Sequence, residues 1–223
     1  VISRLILNTL DGIEKPALAG LWPNENNMSI VLDLGANIEC SEKNLLDFAS
    51  MGSALSKSLF SINKPKVSLL NIGLEEHKGN DILKKTFSIL KNEPVSNFEF
   101  SGFIEGNQIM DGNVDVIVTD GFTGNVALKT AEGTANFITK KIKDSLNIIS
   151  ILLSYRSINK FKKKLDPRKY NGAIFLGLQG PVVKSHGSTD AVGFAHSIEV
   201  CNKIIRGDLI KKIKSHLISI DGK

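Results

Sequence analysis

Four short stretches of this sequence combine glycine with residues that hold or move charge. They are Asp33-Leu-Gly-Ala-Asn37, Lys78-Gly-Asn80, Asp120-Gly-Phe-Thr-Gly-Asn125 and Lys184-Ser-His-Gly-Ser-Thr-Asp190. Glycine lets backbone N–H groups come close to a ligand. Asn supplies amide donors and Lys a mobile positive charge, while a helix N-terminus adds a partial positive charge. Together they describe a polar cleft suited to an oxyanion such as phosphate. Its expected contacts are Gly35, Ala36, Asn37, Gly79, Asn80, Asp120, Thr123, Gly124, Lys184 and Gly187. Any one of these turns is also ordinary turn chemistry. Their recurrence after strand-like segments is what points to one shared cleft.

Other reactive groups are sparse. Gly121-x-x-Gly124 lacks the dinucleotide spacing, and there is no phosphate-loop lysine motif. The nucleophile-elbow pattern is also absent from the sequence. His77, His186, His196 and His216 do not pair at metal-ligand spacing. His186 sits in a glycine-flanked turn beside Lys184 and is a site candidate. His77 reads as a solvated neighbour of Lys78, and His196 and His216 as structural residues on helices. Cys40 and Cys201 have no base nearby in sequence, which argues against a thiolate nucleophile.

The elements that must position these turns alternate between two patterns. Short buried runs at Ser29–Leu34, Val67–Ile72 and Val114–Val118 read as strands, and Asn97–Phe103 as a fourth. Helical spacing covers Glu42 to Phe60, Asp81 to Leu90, Val126 to Ile142 and Ala191 to Ile205, with a basic tail helix to about Ile220. Val1 to Leu10 has helical spacing too. Ala173–Leu178 reads as a strand or a helix start. Ser41 is a good N-cap, but Asn44 stands where a capping box would carry Glu or Gln, so the box reads as incomplete. Alternating β and α elements predict a single α/β domain over residues 1–223, its mostly parallel sheet covered by helices on both faces.

Charge is concentrated in one place. The net charge is +5, yet residues 140–169 hold ten basic residues and two acids, giving that segment +8 and the remainder −3. The preceding apolar positions, Leu146, Ile148, Ile149, Ile151, Leu152 and Leu153, widen a helical stripe beyond its usual width. An apolar tip with a basic flank predicts a protruding amphipathic helical insert, about 139–169, that contacts an anionic membrane surface. The competing reading is a helix in a dimer interface with a solvated basic end. Nucleic acid fits less well, because Tyr155 and Phe161 are the insert's only stacking residues. Two distant cysteines and no secretory leader at Val1 fit a reduced cytoplasmic compartment.

Six motifs in order carry a resemblance: Leu32-Asp-Leu-Gly-Ala-Asn37, Met51-Gly-Ser53, Leu70-Asn-Ile-Gly73, Lys78-Gly-Asn80, Asp120-Gly-Phe-Thr-Gly-Asn125 and Lys184-Ser-His-Gly-Ser188. From Val1 to about Ile205 the chain resembles the acyl-carrier-protein:phosphate acyltransferases, the PlsX family of bacterial phospholipid synthesis. The family continues upstream of the point matching Val1, so the chain reads as the C-terminal part of a longer protein. The resemblance implies an isocitrate/isopropylmalate dehydrogenase-like, phosphotransacetylase-like fold and a homodimer. It implies conversion of long-chain acyl-[acyl-carrier protein] and inorganic phosphate to acyl-phosphate and free carrier protein, with no nicotinamide and no metal. A downstream membrane acyltransferase would use the product, placing the protein in the cytoplasm, peripherally on the membrane. Lys78 and Asn125 match the family's active cleft, with His186 and Lys184 as further candidates for phosphate binding and proton transfer to sulfur. Asp33, Asn37 and Asp120 are expected to orient the loops. Two alternatives are a coenzyme A-dependent phosphotransacetylase and a non-catalytic carrier-protein- or membrane-binding fragment.

Overall fold

A computed structural model of the chain describes residues 2–26, 28–93, 96–145, 172–185 and 189–221. Seven strands form one sheet: β1 Ala17–Pro23, β2 Met28–Leu32, β3 Lys66–Asn71, β4 Glu99–Glu105, β5 Val116–Val118, β6 Ala173–Leu176 and β7 Val182–Lys184. Their order across the sheet is β4-β3-β5-β2-β1-β6-β7. The centre is parallel, with β5 between β2 and β3, and β4 outside β3. β1, β6 and β7 add antiparallel pairs on the other side. It follows that β2 to β6 all point one way and only β1 and β7 reverse.

The parallel centre forms where the sequence is most continuously apolar. Val116, Ile117 and Val118 are wholly buried, and so are Ile30, Leu32, Val67 and Leu69. Strands buried on both faces read as uninterrupted apolar runs, because a solvent-facing polar alternation is missing. β1 is different: Ala17 and Ala19 belong to one core cluster, Leu18 and Trp22 to the other. That alternation is the period of a strand lying between two cores.

Helices cover the two faces unequally. α1 Ile2–Leu7 lies at the start, and α2 Glu42–Phe60 and α3 Asp81–Asn92 follow β2 and β3. α4 Gly121–Ser145 follows β5, and α5 Ala191–Arg206 and α6 Leu209–Asp221 close the chain. The larger core joins Phe48, Met51 and Leu55 of α2, Leu90 of α3, Ile204 of α5 and Ile213 of α6 to one sheet face. The smaller core joins Trp22, Val31, Ile109 and Ile117 to Ala127, Leu128 and Ala131 of α4. On this second face the crossover between β4 and β5 supplies Ile109 and Val114 where a further helix would otherwise lie.

α2 starts where Ser41 was expected to cap it, but the box is complete. The Asn44 N–H donates to Ser41 Oγ at 3.3 Å, and the Ser41 N–H donates to Asn44 Oδ1 at 3.0 Å. The Asn side-chain carbonyl does here what a Glu or Gln oxygen does elsewhere.

Candidate active site

The turns after β2 and β5 form one closed corner. Asp33 is fully buried, and its carboxylate is surrounded by donors. Oδ1 accepts from the N–H groups of Leu18, Gly35 and Ala36 at 3.0, 3.1 and 2.9 Å. Oδ2 accepts from the Asn37 N–H and from its Nδ2, both at 2.8 Å. A buried carboxylate needs such compensation, since charge without partners is costly in a low-dielectric interior. The turn is therefore an anion cradle already filled by its own aspartate. Of the expected phosphate contacts, Gly35, Ala36 and Asn37 donate their backbone N–H groups to Asp33 in this structure. The Asn37 amide also donates to the Pro16 carbonyl at 2.8 Å.

The start of α4 leans directly on that turn. Asp120 caps the helix, its Oδ1 accepting from the Thr123 N–H and its Oδ2 from Thr123 Oγ1, both at 2.8 Å. The Gly121 N–H donates to the Asn37 carbonyl at 2.8 Å, and the Gly124 N–H to the Asp120 carbonyl at 2.9 Å. Asp120, Thr123 and Gly124 thus take part in capping the helix start. Side chains at Gly121 and Gly124 would run into the backbone carbonyls of Asn37 and Asp33. The two glycines serve a helix-to-loop approach, not an approach to a ligand. What emerges from the corner is Asn125, exposed, with one amide hydrogen on the Leu34 carbonyl at 3.2 Å. Its second amide hydrogen has no acceptor among the described residues.

The turn after β3 is built on Asn71, whose Nδ2 donates to the Lys78 carbonyl at 3.2 Å. The Lys78 N–H donates to the Glu75 carbonyl at 2.9 Å and tightens the loop. Gly79 has a φ of +87°, and a side chain there would strike Asn71 Oδ1. Asn80 caps α3, its Oδ1 accepting from the Leu83 N–H at 2.9 Å. The Asn80 side chain is thus a cap, while the N–H groups of Asp81 and Ile82 lie in the first helical turn without intrahelical acceptors. On α3 and its loop, Lys84 pairs with Asp81 at 3.7 Å, Lys85 with Glu42 at 3.4 Å, and Lys91 with Glu76. Lys78 is exposed and has no ion-pair partner among the described residues.

Sheet order brings these turns together. β3, β5 and β2 are consecutive and parallel, so their carboxyl ends share one edge. Two strand spacings, about 10 Å, separate the first from the third. This is the edge where open α/β sheets bind ligands. The fourth turn is elsewhere. Lys184 pairs with Ala173 at the beginning of β6, whereas Leu176, at the end of β6, pairs with Ala17 beside the Asp33 turn. Lys184 therefore leaves the sheet at the opposite edge. β6 and β7 form a hairpin, and its loop at 177–181 is what reaches the shared edge. Asp190 caps α5 through the Gly193 N–H at 2.9 Å. His186 and Gly187 lie outside the described residues, as do Leu146, Ile148, Ile149, Ile151, Leu152 and Leu153.

Two residues that organise the edge carried little signal in the sequence. Asn71, at the end of β3, and Pro16, just before β1, each supply a bond that fixes a neighbouring turn. Cys40 is buried beneath the closed corner. Burial, and next the Asp33 charge, push its thiol up to about 11, so it stays protonated. Among the described residues no cluster of His, Cys, Asp and Glu is suited to a metal ion, and no helix is long and apolar enough to cross a membrane.

The fold is similar to that of a EutD phosphotransacetylase from Staphylococcus aureus, with a TM-score of 0.60 at 14% identity over 93% of this chain and 58% of that one. A phosphotransacetylase from Streptococcus pyogenes gives 0.58 at 18% identity, over 94% and 58%. In sequence the chain is 59% identical over 222 residues to a phosphate acyltransferase of Pelagibacter ubique, covering 97% of this chain and 67% of that protein. It is 43% identical to a phosphate acyltransferase of Brucella canis, covering 97% of this chain and 64% of that protein. The chain thus spans about two thirds of the length of these relatives. The family model described as fatty acid synthesis protein matches residues 1–212, and with these relatives it shows that the chain belongs to that family, as the order of its six motifs anticipated.

Proposed function

We propose that this chain carries the phosphate-binding half of a phosphate acyltransferase that converts a long-chain acyl-[acyl-carrier protein] and inorganic phosphate to acyl-phosphate and free carrier protein. The observation that carries the reading is the unpaired Lys78 ammonium, on the same sheet edge as the half-committed amide of Asn125. In the proposed step a phosphate oxygen attacks the thioester carbonyl carbon, the tetrahedral oxyanion collapses, and the C–S bond breaks. The sulfur leaves as a thiolate and is then protonated; a thiol has a pKa of about 8.5, so little acid assistance is needed. The site must hold the phosphate anion against the neutral thioester carbonyl in reacting geometry and stabilise the oxyanion that develops. Lys78 supplies the charge, with the Gly79 N–H and the α3 N-terminus beside it, and Asn125 donates to the thioester carbonyl. His186 remains a proposed proton donor to sulfur. The outlying position of Lys184 counts against a role for it within the same chain's cleft.

Thiol release, followed with long-chain acyl-carrier protein, acetyl-CoA and phosphate supplied separately, tests the reaction. Release from the acyl-carrier protein that depends on phosphate is expected, and release from acetyl-CoA alone would favour the coenzyme A alternative. Lys78→Ala is expected to lower turnover by about 100-fold or more, the scale of removing a preorganised oxyanion contact, with the thermal midpoint unchanged. Near-normal turnover would remove Lys78 from the mechanism.

We further propose that the protein acts as a homodimer and docks on an anionic membrane surface, delivering its product to a membrane acyltransferase. Support comes from the far end of α4, where Phe137, Ile138 and Ile142 are 62%, 50% and 48% exposed and Lys140 and Lys141 lie among them. Ile149→Asp with Leu152→Asp is expected to release the protein from vesicles containing anionic lipid. Unchanged co-sedimentation would count against docking, and a monomeric mass in solution against the dimer.

A further inference from the structure

The unpaired cation at the cleft sits on a flexible stem, and something must decide where it stands. Only the root of Lys78 is tied down. Its carbonyl accepts from Asn71 Nδ2 at 3.2 Å, and its N–H closes the loop onto the Glu75 carbonyl at 2.9 Å. Its stem lies along Gly73, where an added Cβ would come 2.9 Å from Lys78 Cγ. The Asn71 bond joins the end of a core strand to this root across seven residues.

Asn71 is an odd choice for a residue that only ends a strand. It is 7% exposed, and its Oδ1 is buried without a hydrogen-bond partner. A buried acceptor left without a donor is destabilising, so such an atom calls for an explanation. Exchanging the amide's oxygen and nitrogen gives no relief, because the oxygen would then face the Lys78 carbonyl. The side chain is held by its donor end, and its acceptor end lies where a Cβ at position 79 would run into Oδ1, so only glycine leaves it room. The donor end therefore holds Lys78, and the acceptor end occupies the space that a side chain at position 79 would need.

We propose that Asn71 is a positioning residue for the reaction: it trades some stability for a fixed root under the Lys78 ammonium, and so sets where phosphate is held. This rests on the reading of Lys78 given above. Asn71 does not itself touch substrate, since the oxygen it leaves unpaired is sealed from solvent. A displacement of about 1 Å in a positioned group can cost about a hundredfold in rate, so the loss of one tether at the root has a large readable effect.

The test uses Asn71→Leu and Asn71→Asp in the intact protein, with inorganic phosphate as the varied substrate. Asn71→Ser, which keeps a polar group but not the reach, serves if Leu does not fold. The expected result is a KM for phosphate raised about tenfold or more, with the KM for the acyl thioester unchanged. Amide hydrogen exchange should rise at Lys78–Asn80 and not along β3. An unchanged phosphate KM, or unchanged exchange at Lys78–Asn80, overturns the proposal. So does a loss of protection along all of β3 with both KM values shifted together, which is the mark of a merely structural residue. Failure of the underlying reading looks different: Lys78→Ala would then keep its turnover, and the exchange data alone would decide whether Asn71 tethers the loop.

Discussion

The turn after β2 and the turn after β3 are made from the same residue types and stand on the same sheet edge, but they do opposite work. At the first, Asp33 draws three backbone N–H groups of its own loop inward, and two glycines let α4 press against that loop. At the second, a neutral amide, Asn71, stands at the strand end, and of the loop's charged residues Glu76 pairs with Lys91 while Lys78 has no ion-pair partner among the described residues. A glycine- and Asn-rich turn is thus a scaffold when it encloses its own counter-charge, and a candidate ligand site when its charge is left over. Composition alone does not separate the two cases.

The comparison is broken most directly at Gly124. A methyl group there would overlap the Asp33 carbonyl, a backbone atom that cannot swing aside. Overpacking of this kind costs about 1–3 kcal/mol, which for a chain of this size lowers the thermal midpoint by roughly 2–4 °C per kcal/mol. Gly124→Ala is therefore expected to destabilise the protein clearly in thermal unfolding and to shift Asn125. Lys78→Ala, at the open turn, is expected to leave the midpoint where it was. Equal midpoints for both variants would erase the distinction between a scaffold corner and a functional one.

Much of this architecture was legible from residue patterns, and the gaps have physical reasons. The continuous apolar runs around Ile30, Leu69 and Ile117 identified the parallel strands, because burial on both faces leaves no alternation. The helix from Glu42 to Phe60 was readable to its ends. β1 carries no strand signal, since Ala17-Leu-Ala-Gly-Leu-Trp-Pro23 is poor in β-branched residues and bounded by prolines, so packing rather than propensity makes it a strand. The Lys184 turn shares the composition of the others, but strand direction is not written in composition; the β6–β7 hairpin places it at the opposite edge. The capping box with Asn44 falls outside the usual Glu or Gln pattern, although its side-chain carbonyl serves equally here. Which N–H groups turn toward Asp33 depends on loop backbone geometry, and no spacing rule predicts it.

Cys40 offers the finest probe of how closed the first corner is. It is buried at the foot of the Asp33 turn, and its thiol is raised from an ordinary 9.0 to about 11, first by burial and then by the Asp33 charge. The sign follows from linkage. A thiol whose value is higher in the folded state keeps its proton there longer, so its contribution to stability is complete below about 9 and is lost as pH rises toward 11. Only the thiolate reacts with alkylating reagents. Native protein at pH 8 is therefore expected to label slowly at Cys40, through transient opening. Gly124→Ala should speed that labelling by loosening the helix against the loop, while Lys78→Ala should not change it. Fast labelling of the native protein at pH 8 would mean that the corner opens freely, and that the two turns differ less in rigidity than their hydrogen bonds imply.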